Sequence, residues 1–219
     1  MDTDNILSSS FTEEIFHQMD IIKNQWEKIH GYLNWQGALN NAFILRGEDI
    51  FTDFYNRPAL AHHLFTLISD VIIQLALKVQ KKQRESGFYI NRFCVSNCTV
   101  NMVSPQIYRE FLLPYDKKIS ESGFERFGMH TCNWNVTPYL VEIKKIPKIG
   151  YLDMGIMSDM KKVKKMFPET RRAIMYSPVR LQEASLDDIK KDMEKIYHEL
   201  SPCDIVMADM QGIRDVKRQ

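Results

Sequence analysis

The hydrophobic positions of this chain follow helical spacing in some stretches and form short continuous runs in others. Near the start, apolar residues recur every three or four positions and mark one face of a helix: Phe11, Ile15, Phe16, Met19, Ile22 and Trp26. The segment Ser10 to Glu13 predicts a capping box for this helix, and Gly31 predicts its end. A second, longer helix is predicted from Pro58 to Gln83, since proline is favoured at the first helical position and basic residues near the end.

The rest of the chain alternates short apolar runs with amphipathic stretches. The runs predict six strands, at 32–36, 88–95, 124–129, 149–154, 173–176 and 204–208. Helix starts are predicted between them at Ser104-Pro105, Thr137-Pro138, Ser158 or Asp159, and Ser185. Strands separated by helices indicate an α/β fold with a parallel sheet. Six strands fit a doubly wound sheet as well as an incomplete TIM-barrel-like (β/α) fold, because a complete barrel has eight strands and about 250 residues.

Length, charge and cysteine content narrow the class of protein. The 219 residues, 44% of them apolar, can bury one core, so 1–219 is predicted to be a single domain with an N-terminal helix in 1–30. A net charge of +1 argues against nucleic-acid or membrane-surface binding. No apolar run approaches the ~20 residues of a membrane span, and the polar N-terminus does not fit a signal peptide. The four cysteines do not suggest a disulfide framework, so a cytoplasmic protein with reduced thiols is expected.

A His-x-Cys pair at the end of the third predicted strand is the strongest chemical signal. Residues two apart on an extended strand point the same way, so His130 and Cys132 are expected to converge. Imidazole nitrogen and thiolate sulfur are ligands that zinc prefers. In a parallel barrel, active sites lie at the carboxyl ends of the strands. Two ligands do not make a site, however, and a buried histidine beside a small apolar cysteine is the alternative interpretation.

Several segments together resemble a known family. Gly37-Ala38-Leu39, the stretches 44–50 and 56–58, the helix start at 97–105, and Tyr151-Leu152-Asp153-Met154-Gly155 keep that family's order. His130-Thr131-Cys132-Asn133 stands where one branch has His-x-Cys-Gly. On these motifs the chain, over roughly 20–210, resembles the uroporphyrinogen decarboxylase superfamily, which includes corrinoid-dependent methyltransferases. The resemblance implies a (β/α) barrel and, in the methyltransferase branch, a zinc site.

The zinc site that the resemblance implies needs a third ligand. The methyltransferase branch takes a cysteine from the end of the last strand, whereas this chain has Met207-Ala208-Asp209 there. Cys98 is the expected substitute, because the loops that follow adjacent parallel strands, ~4.8 Å apart, can share a metal. With His130 and Cys132 it gives a Cys₂His site with an open fourth position. Asp209 is the alternative ligand, and Cys98 is then a buried loop residue.

Other side chains at the same strand ends are candidates for supporting roles. Asp153 is expected to orient His130, or else to cap the following turn. Asn97, as a catalytic candidate, and Asn101, as a substrate-binding one, can hydrogen-bond a polar substrate, although loop asparagines also serve turns. Asn133 and Tyr176 complete the candidate substrate-binding residues.

The resemblance implies a zinc-activated thiol, or a related acceptor, that takes the methyl group of a methyl-corrinoid carried by a partner corrinoid protein. Uroporphyrinogen decarboxylase activity, which uses arginine and aspartate rather than metal, is the alternative enzyme. It is disfavoured because the family's N-terminal portion, with its arginine motif, has no counterpart here. A truncated barrel that only binds is the third possibility. Because parallel strands carry apolar side chains on both faces, the open side is expected to be buried in a homo-oligomer or by a complementing subunit.

Overall fold

Six strands form one parallel sheet in the computed structural model, which describes residues 3–207. Their bounds are β1 Trp35–Gln36, β2 Arg92–Ser96, β3 Arg126–His130, β4 Ile149–Met154, β5 Arg171–Tyr176 and β6 Asp204–Met207. The spatial order is the sequence order, and every pairing is parallel. A doubly wound sheet reverses its strand order at a switch point, and this sheet does not. Within residues 3–207 the sheet does not close, so the fold is an incomplete TIM-barrel-like α/β fold.

Helices precede the sheet and connect its strands. They are α1 Thr3–Leu7, α2 Ser10–Trp26, α3 Ala38–Arg46, α4 Asp49–Asn56, α5 Pro58–Glu85, α6 Pro105–Ile107, α7 Leu113–Glu121, α8 Leu140–Ile143, α9 Met160–Met166, α10 Pro178–Glu183 and α11 Leu186–Leu200. Turns of 3₁₀ helix occupy Cys98–Met102 and Thr137–Tyr139, and a π-helical turn at Tyr108–Leu112 joins α6 to α7. The sequence analysis did not predict α1, α3, α4 or α10 as separate helices.

Side-chain caps fix where several helices begin. Ser104, Asp159, Ser177 and Ser185 each accept a hydrogen bond from the backbone N–H three residues later, at 2.9 to 3.4 Å. Such caps satisfy N–H groups that have no partner within the helix. Helix α2 differs from its prediction at both ends: Ser9 caps it in place of Ser10, and it ends at Trp26 instead of near Gly31.

The long helix α5 is the central helix of the core. Its buried residues recur every three or four positions, as in an amphipathic helix: Ala61, Phe65, Ile68, Ile72, Ala76 and Val79. They belong to the same hydrophobic core as the side chains on one face of the sheet, or to the small cluster beside α2. By length and composition alone, α5 could cross a membrane, which corrects the expectation that no segment is apolar enough. Its buried stripe is also what a core helix requires.

The two faces of the sheet differ in chemistry. Phe93, Val95, Phe127 and Met129 point towards the helices and are fully buried. The other face, here called the open face, is mostly polar, and Ala173, Met175 and Val206 are its apolar exceptions. The strand registers align on it Arg92, Cys94, Ser96, Arg126, His130, Tyr151, Asp153, Arg171 and Asp204. The expectation that both faces would be apolar was therefore wrong. Ionic and hydrogen-bonding side chains line most of the open face, and the candidate site lies on it.

Candidate metal centre

The carboxyl ends of β2 and β3 bring together three metal-ligand side chains. Ser96 and His130 are register partners, and the backbone N–H of Asn97 donates to the His130 carbonyl at 2.8 Å. Cys98 then begins its 3₁₀ turn, so that its Sγ lies 2.8 Å from Cys132 Sγ. Cys132 Sγ is 3.2 Å from His130 Nε2, and all three ligand atoms lie within 4.8 Å of one another. The structure thus places the Cys98, His130 and Cys132 side chains at one point.

Cys132 reaches this point by a route that strand alternation did not predict. Strand β3 ends at His130, and Cys132 has a φ of 58°, in the left-handed region. Non-glycine residues seldom adopt this conformation, and it persists where surrounding contacts enforce it. The enforcing contacts are at Thr131, whose backbone N–H donates to Asp153 Oδ1 and whose hydroxyl donates to the Asp153 carbonyl, both at 2.6 Å. A turn anchored to β4, and not the pleat of a strand, makes the two side chains converge.

Asp153 holds the imidazole in one orientation. His130 Nδ1 lies 2.6 Å from Asp153 Oδ2, so Nδ1 carries the proton and donates it to the carboxylate. Tyr151 donates its hydroxyl to the same oxygen at 3.2 Å, and Asp153 is only 1% exposed. Nε2 therefore faces the two thiols, where a metal that displaces its proton could bind. Asp153 therefore contacts His130 as expected, and it also fixes the turn at Thr131, a contact that the sequence did not suggest.

Hydrogen bonds in the site shift the pKa of the Cys98 thiol and that of the His130 imidazole in opposite directions. Hydrogen bonding from Cys132, and then from His130, lowers the pKa of Cys98 to about 5, against the opposing effect of burial. Hydrogen bonding to Asp153, and then to Cys98, raises the pKa of His130 to about 10. Without metal, the pair at neutral pH is therefore a thiolate and an imidazolium. A divalent cation that replaces the shared protons would meet one thiolate already formed.

A buried asparagine that the sequence analysis missed supports the Cys98 turn. Asn40 Oδ1 accepts from the Thr99 backbone N–H at 3.0 Å and from the Thr99 hydroxyl at 2.5 Å. Its Nδ2 donates to Gln36 Oε1 at 2.7 Å, which ties the turn to β1. Asn40 is 7% exposed at the start of the apolar helix α3. Two adjacent asparagines, Asn40 and Asn41, within an otherwise apolar stretch were the available signal.

Two glycines give the site loops the space they occupy. A Cβ on Gly155 would lie 1.8 Å from the Asn133 carbonyl oxygen, and the Gly155 N–H donates to the Trp134 carbonyl at 2.9 Å. A Cβ on Gly37 would lie 1.8 Å from Asn97 Oδ1. A side chain at 155 would push the Asn133 backbone away, and a side chain at 37 would displace the Asn97 side chain. The glycine at 155 therefore sets the path of the backbone that carries Cys132.

Asn97 lies beneath the site, within the core. It is 2% exposed, and its Nδ2 donates to both carboxylate oxygens of Asp116 at 3.2 Å. Tyr108 donates its hydroxyl to Asp116 at 2.7 Å. Burial raises the pKa of Asp116 to about 6, and the two hydrogen bonds oppose that rise. The Asn97 amide is occupied by this cluster, so its contribution to the site is to hold the start of the Cys98 turn.

The remaining candidates lie around the centre. Asn101 is exposed in the same 3₁₀ turn as Cys98. Asn133 is exposed and borders a cavity of about 640 Å³ between the ends of β4 and β5 and helices α10 and α11. Tyr176 is 2% exposed and donates its hydroxyl to Asp192 at 2.7 Å, so it does not present that group to solvent. Asp209 lies outside the described residues.

The donor set fits zinc in kind and number. Two sulfurs and one imidazole nitrogen with a hydrogen-bonded far side are a catalytic zinc ligand set, which leaves a fourth position for substrate. Zinc binding would require a larger distance between the two cysteine sulfurs. Zinc–sulfur bonds of about 2.3 Å at a tetrahedral angle put the sulfurs about 3.8 Å apart. The sulfurs of Cys98 and Cys132 would therefore have to separate by roughly 1 Å from their 2.8 Å contact.

The fold and the site define an incomplete (β/α) barrel with a candidate metal centre at the carboxyl ends of its strands. The chain belongs to the uroporphyrinogen decarboxylase (URO-D) family, whose sequence model matches residues 41–208. A solved structure with the same fold is a methyltransferase from Methanosarcina mazei, with a TM-score of 0.65 and 16% identity. The match covers 92% of this chain and 59% of that one, so this chain spans about three fifths of its relative. No curated protein sequence matches the chain.

Proposed function

We propose that this chain is a methyltransferase of the URO-D family that activates a thiol acceptor at a zinc held by Cys98, His130 and Cys132. The convergence of these three ligand atoms within 4.8 Å carries the proposal. Such a site leaves the fourth position to the acceptor sulfur. When bound, zinc would stabilise the acceptor as a thiolate near neutral pH.

The protein's own groups would prepare that site. Asp153 holds His130 with Nε2 towards the thiols, and hydrogen bonding from Cys132 lowers the pKa of Cys98, which favours its thiolate. We expect Asn133, which borders the neighbouring cavity and follows Cys132 in sequence, to contact the acceptor. Fixed ligands reduce the reorganisation needed when the acceptor binds, which is the contribution that positioning makes to rate.

The methyl donor in this proposal is a methyl-corrinoid on a partner corrinoid protein. The acceptor sulfur forms a bond to the methyl carbon as the cobalt–carbon bond breaks, and cobalt keeps the electron pair. Cys98 and Cys132 are both partly exposed, which a donor carried by a second protein requires. We also place the protein in the cytoplasm, since its four cysteines are free thiols.

Metal content tests the proposal directly. Purified protein is expected to hold about one zinc per chain, and Cys132→Ala should remove most of it. Cys203→Ala is the matched control, because this free cysteine lies at the amino end of β6, away from the site. Stoichiometric zinc that survives Cys132→Ala would place the metal elsewhere. Finding none after zinc supplementation would end the thiolate mechanism.

The third ligand has its own test. Cys98→Ser should weaken zinc binding much more than Asp209→Asn, since thiolate is the better zinc ligand and Cys98 Sγ already touches Cys132 Sγ. Competition with a chromophoric chelator measures both affinities. The reverse order would make Asp209 the ligand and leave Cys98 a structural residue.

Uroporphyrinogen decarboxylation is the second candidate, and one observation favours it. Arg92 and Arg126 are register partners on the open face, and the Arg92 guanidinium lies 4.8 Å from the centre of the Tyr151 ring. The Arg92 Nε is buried without a hydrogen bond. Guanidinium groups placed in this way could hold substrate carboxylates. Carbon dioxide release from uroporphyrinogen that is insensitive to chelators and lost in Arg126→Gln would support this activity over methyl transfer.

We further propose that a homo-oligomer or a complementing subunit covers the gap in the incomplete barrel between β1 and β6. Strands β1 and β6 each leave one edge unpaired within the described sheet, and such edges tend to pair with another chain. Light scattering should give a particle larger than the 25.8 kDa of one chain. A stable, non-aggregating monomer at micromolar concentration would contradict this.

A further inference from the structure

The two cysteine sulfurs of the candidate centre are farther apart than in a disulfide bond and closer than around a tetrahedral zinc ion. Cys98 Sγ and Cys132 Sγ are 2.8 Å apart. A disulfide bond would bring them to about 2.05 Å, and tetrahedral zinc would separate them to about 3.8 Å. Each state requires a movement of about 1 Å or less, which is within the range of small side-chain rotations. The same pair can therefore end in a covalent bond or around a metal.

The backbone holds these sulfurs side by side without any metal. The Cys98 turn is fixed through the Asn97 N–H to the His130 carbonyl and through Thr99 to Asn40. Cys132 is fixed by the bonds that its neighbour Thr131 makes to Asp153, described above. Both thiols are partly exposed, so a small reagent can reach them. Two thiols that are held together close a disulfide with little loss of chain entropy.

The other cysteines are placed differently. Cys94 lies on the open face against Gly128, where a Cβ would come within 2.1 Å of its Sγ. Cys203 precedes β6 at the opposite end of the sheet. Among residues 3–207, Cys98 and Cys132 are the pair whose sulfurs are in contact.

We propose that Cys98 and Cys132 form a thiol–disulfide exchange site that takes a small disulfide such as oxidised glutathione, and that its oxidation excludes the metal. One protein thiolate attacks a sulfur of the small disulfide and displaces one thiolate, which leaves a mixed disulfide. The second protein thiolate attacks the protein sulfur of that mixed disulfide and displaces the other small thiolate. The protein loses two electrons and two protons, and the small disulfide becomes two thiols.

The metal part of this inference rests on the proposed function. A disulfide removes both sulfur ligands, and His130 alone does not hold zinc tightly. Bound zinc in turn keeps both sulfurs coordinated and away from the exchange partner. Metal and disulfide are therefore alternative states of one pair, and the redox state of the surrounding thiol pool would set which one forms.

Mass spectrometry of the metal-free protein tests the exchange. After incubation with oxidised glutathione, trypsin should yield peptides 93–109 and 127–144 joined by a disulfide. The Cys94→Ala variant should give the same link, which removes ambiguity because peptide 93–109 then contains Cys98 alone. Cys98→Ser and Cys132→Ser should each retain bound glutathione on the remaining cysteine. Absence of the link, or a link that requires Cys94 or Cys203, would overturn the inference.

Zinc protection separates this inference from the proposed function. Protein loaded with zinc should form the link at least about 10-fold more slowly, and a reductant should restore zinc binding to the oxidised protein. A link that forms in protein unable to bind zinc supports the exchange site and contradicts the zinc enzyme. Tight zinc binding at the three ligands without any disulfide link supports the zinc enzyme and contradicts the exchange site. Zinc that binds there but does not slow the link would overturn the exclusion.

Discussion

Removing the charge of Asp153 tests whether the hydrogen bond behind His130 sets metal affinity. In Asp153→Asn, the side chain keeps its volume but offers one acceptor oxygen where the carboxylate offered two. The carboxylate now serves both His130 Nδ1 and the Thr131 N–H, each at 2.6 Å. One of those donors must then face an amide N–H. Loss of the Nδ1 bond leaves the imidazole free to rotate and to place its proton on Nε2, the atom that faces the metal.

The expected loss in zinc affinity is about 10- to 100-fold, or about 1.4 to 2.8 kcal/mol, as for other partners of metal-bound histidines. Chelator competition on the folded variant measures it, and denaturant unfolding of the metal-free protein reports the separate effect on stability. Asp192→Asn is the matched control, because Asp192 accepts from Tyr176 and Arg180 and does not touch the three ligands. A zinc affinity within twofold of wild type would refute the orienting role of Asp153.

Three further predictions concern stability and loop position. The pKa of Asp116 is raised from 3.8 to about 6 in the folded protein. The protonated Asp116 carboxyl therefore stabilises the folded state fully below pH 3.8, and this stabilisation is lost as the pH rises towards 6. Denaturant unfolding should show this decline, at most about 1.4 kcal/mol per pH unit, in wild type and not in Asp116→Asn. Gly155→Ala should lower both the melting temperature and zinc affinity, because the new Cβ meets the Asn133 carbonyl; an unchanged affinity would contradict this. Asn40→Ala should weaken zinc binding by releasing the Cys98 turn, and the conservative Asn40→Asp should restore part of it.

Strands that are apolar and continuous could be predicted well. Strand β4 occupies 149–154 as expected, β5 begins two residues before its predicted start, and β6 matches its prediction over the described residues 204–207. Strand β1 was the least predictable, since only Trp35 and Gln36 of the expected 32–36 make ladder bonds. Its extent depends on where β2 lies beside it, and local sequence does not contain that information.

The short helices were missed for a related reason. Helix α10 has six residues, too few for a periodic apolar pattern, and its cap Ser177 is recognisable only once β5 is known to end at Tyr176. Helices α3 and α4 lie side by side and also pack against α5. Their formation depends on tertiary contacts, which outweigh weak local propensity.

For the site, residue type and chain order were more informative than side-chain direction. The sequence indicated that the segments with Cys98 and His130 end neighbouring strands, and their side chains do meet. It could not indicate that Asn97 turns into the core towards Asp116, while Cys98, one residue later, turns towards Cys132. A single backbone rotation at Asn97, whose φ is −105° and ψ 41°, separates these outcomes. Such loop conformations follow from contacts distant in sequence, among them the space left by Gly37.

The sequential strand order has a consequence for how the protein assembles during synthesis. Each strand in the described sheet pairs only with its neighbours along the chain, so each new βα unit can dock on a sheet that already exists. Contacts of this kind have short sequence separation, and domains fold from the N-terminal side as they leave the ribosome. Strands β2 and β3 can therefore pair first, and β4 then supplies Asp153, which anchors Thr131 and His130. The three candidate ligands would thus converge only once β4 has joined the sheet.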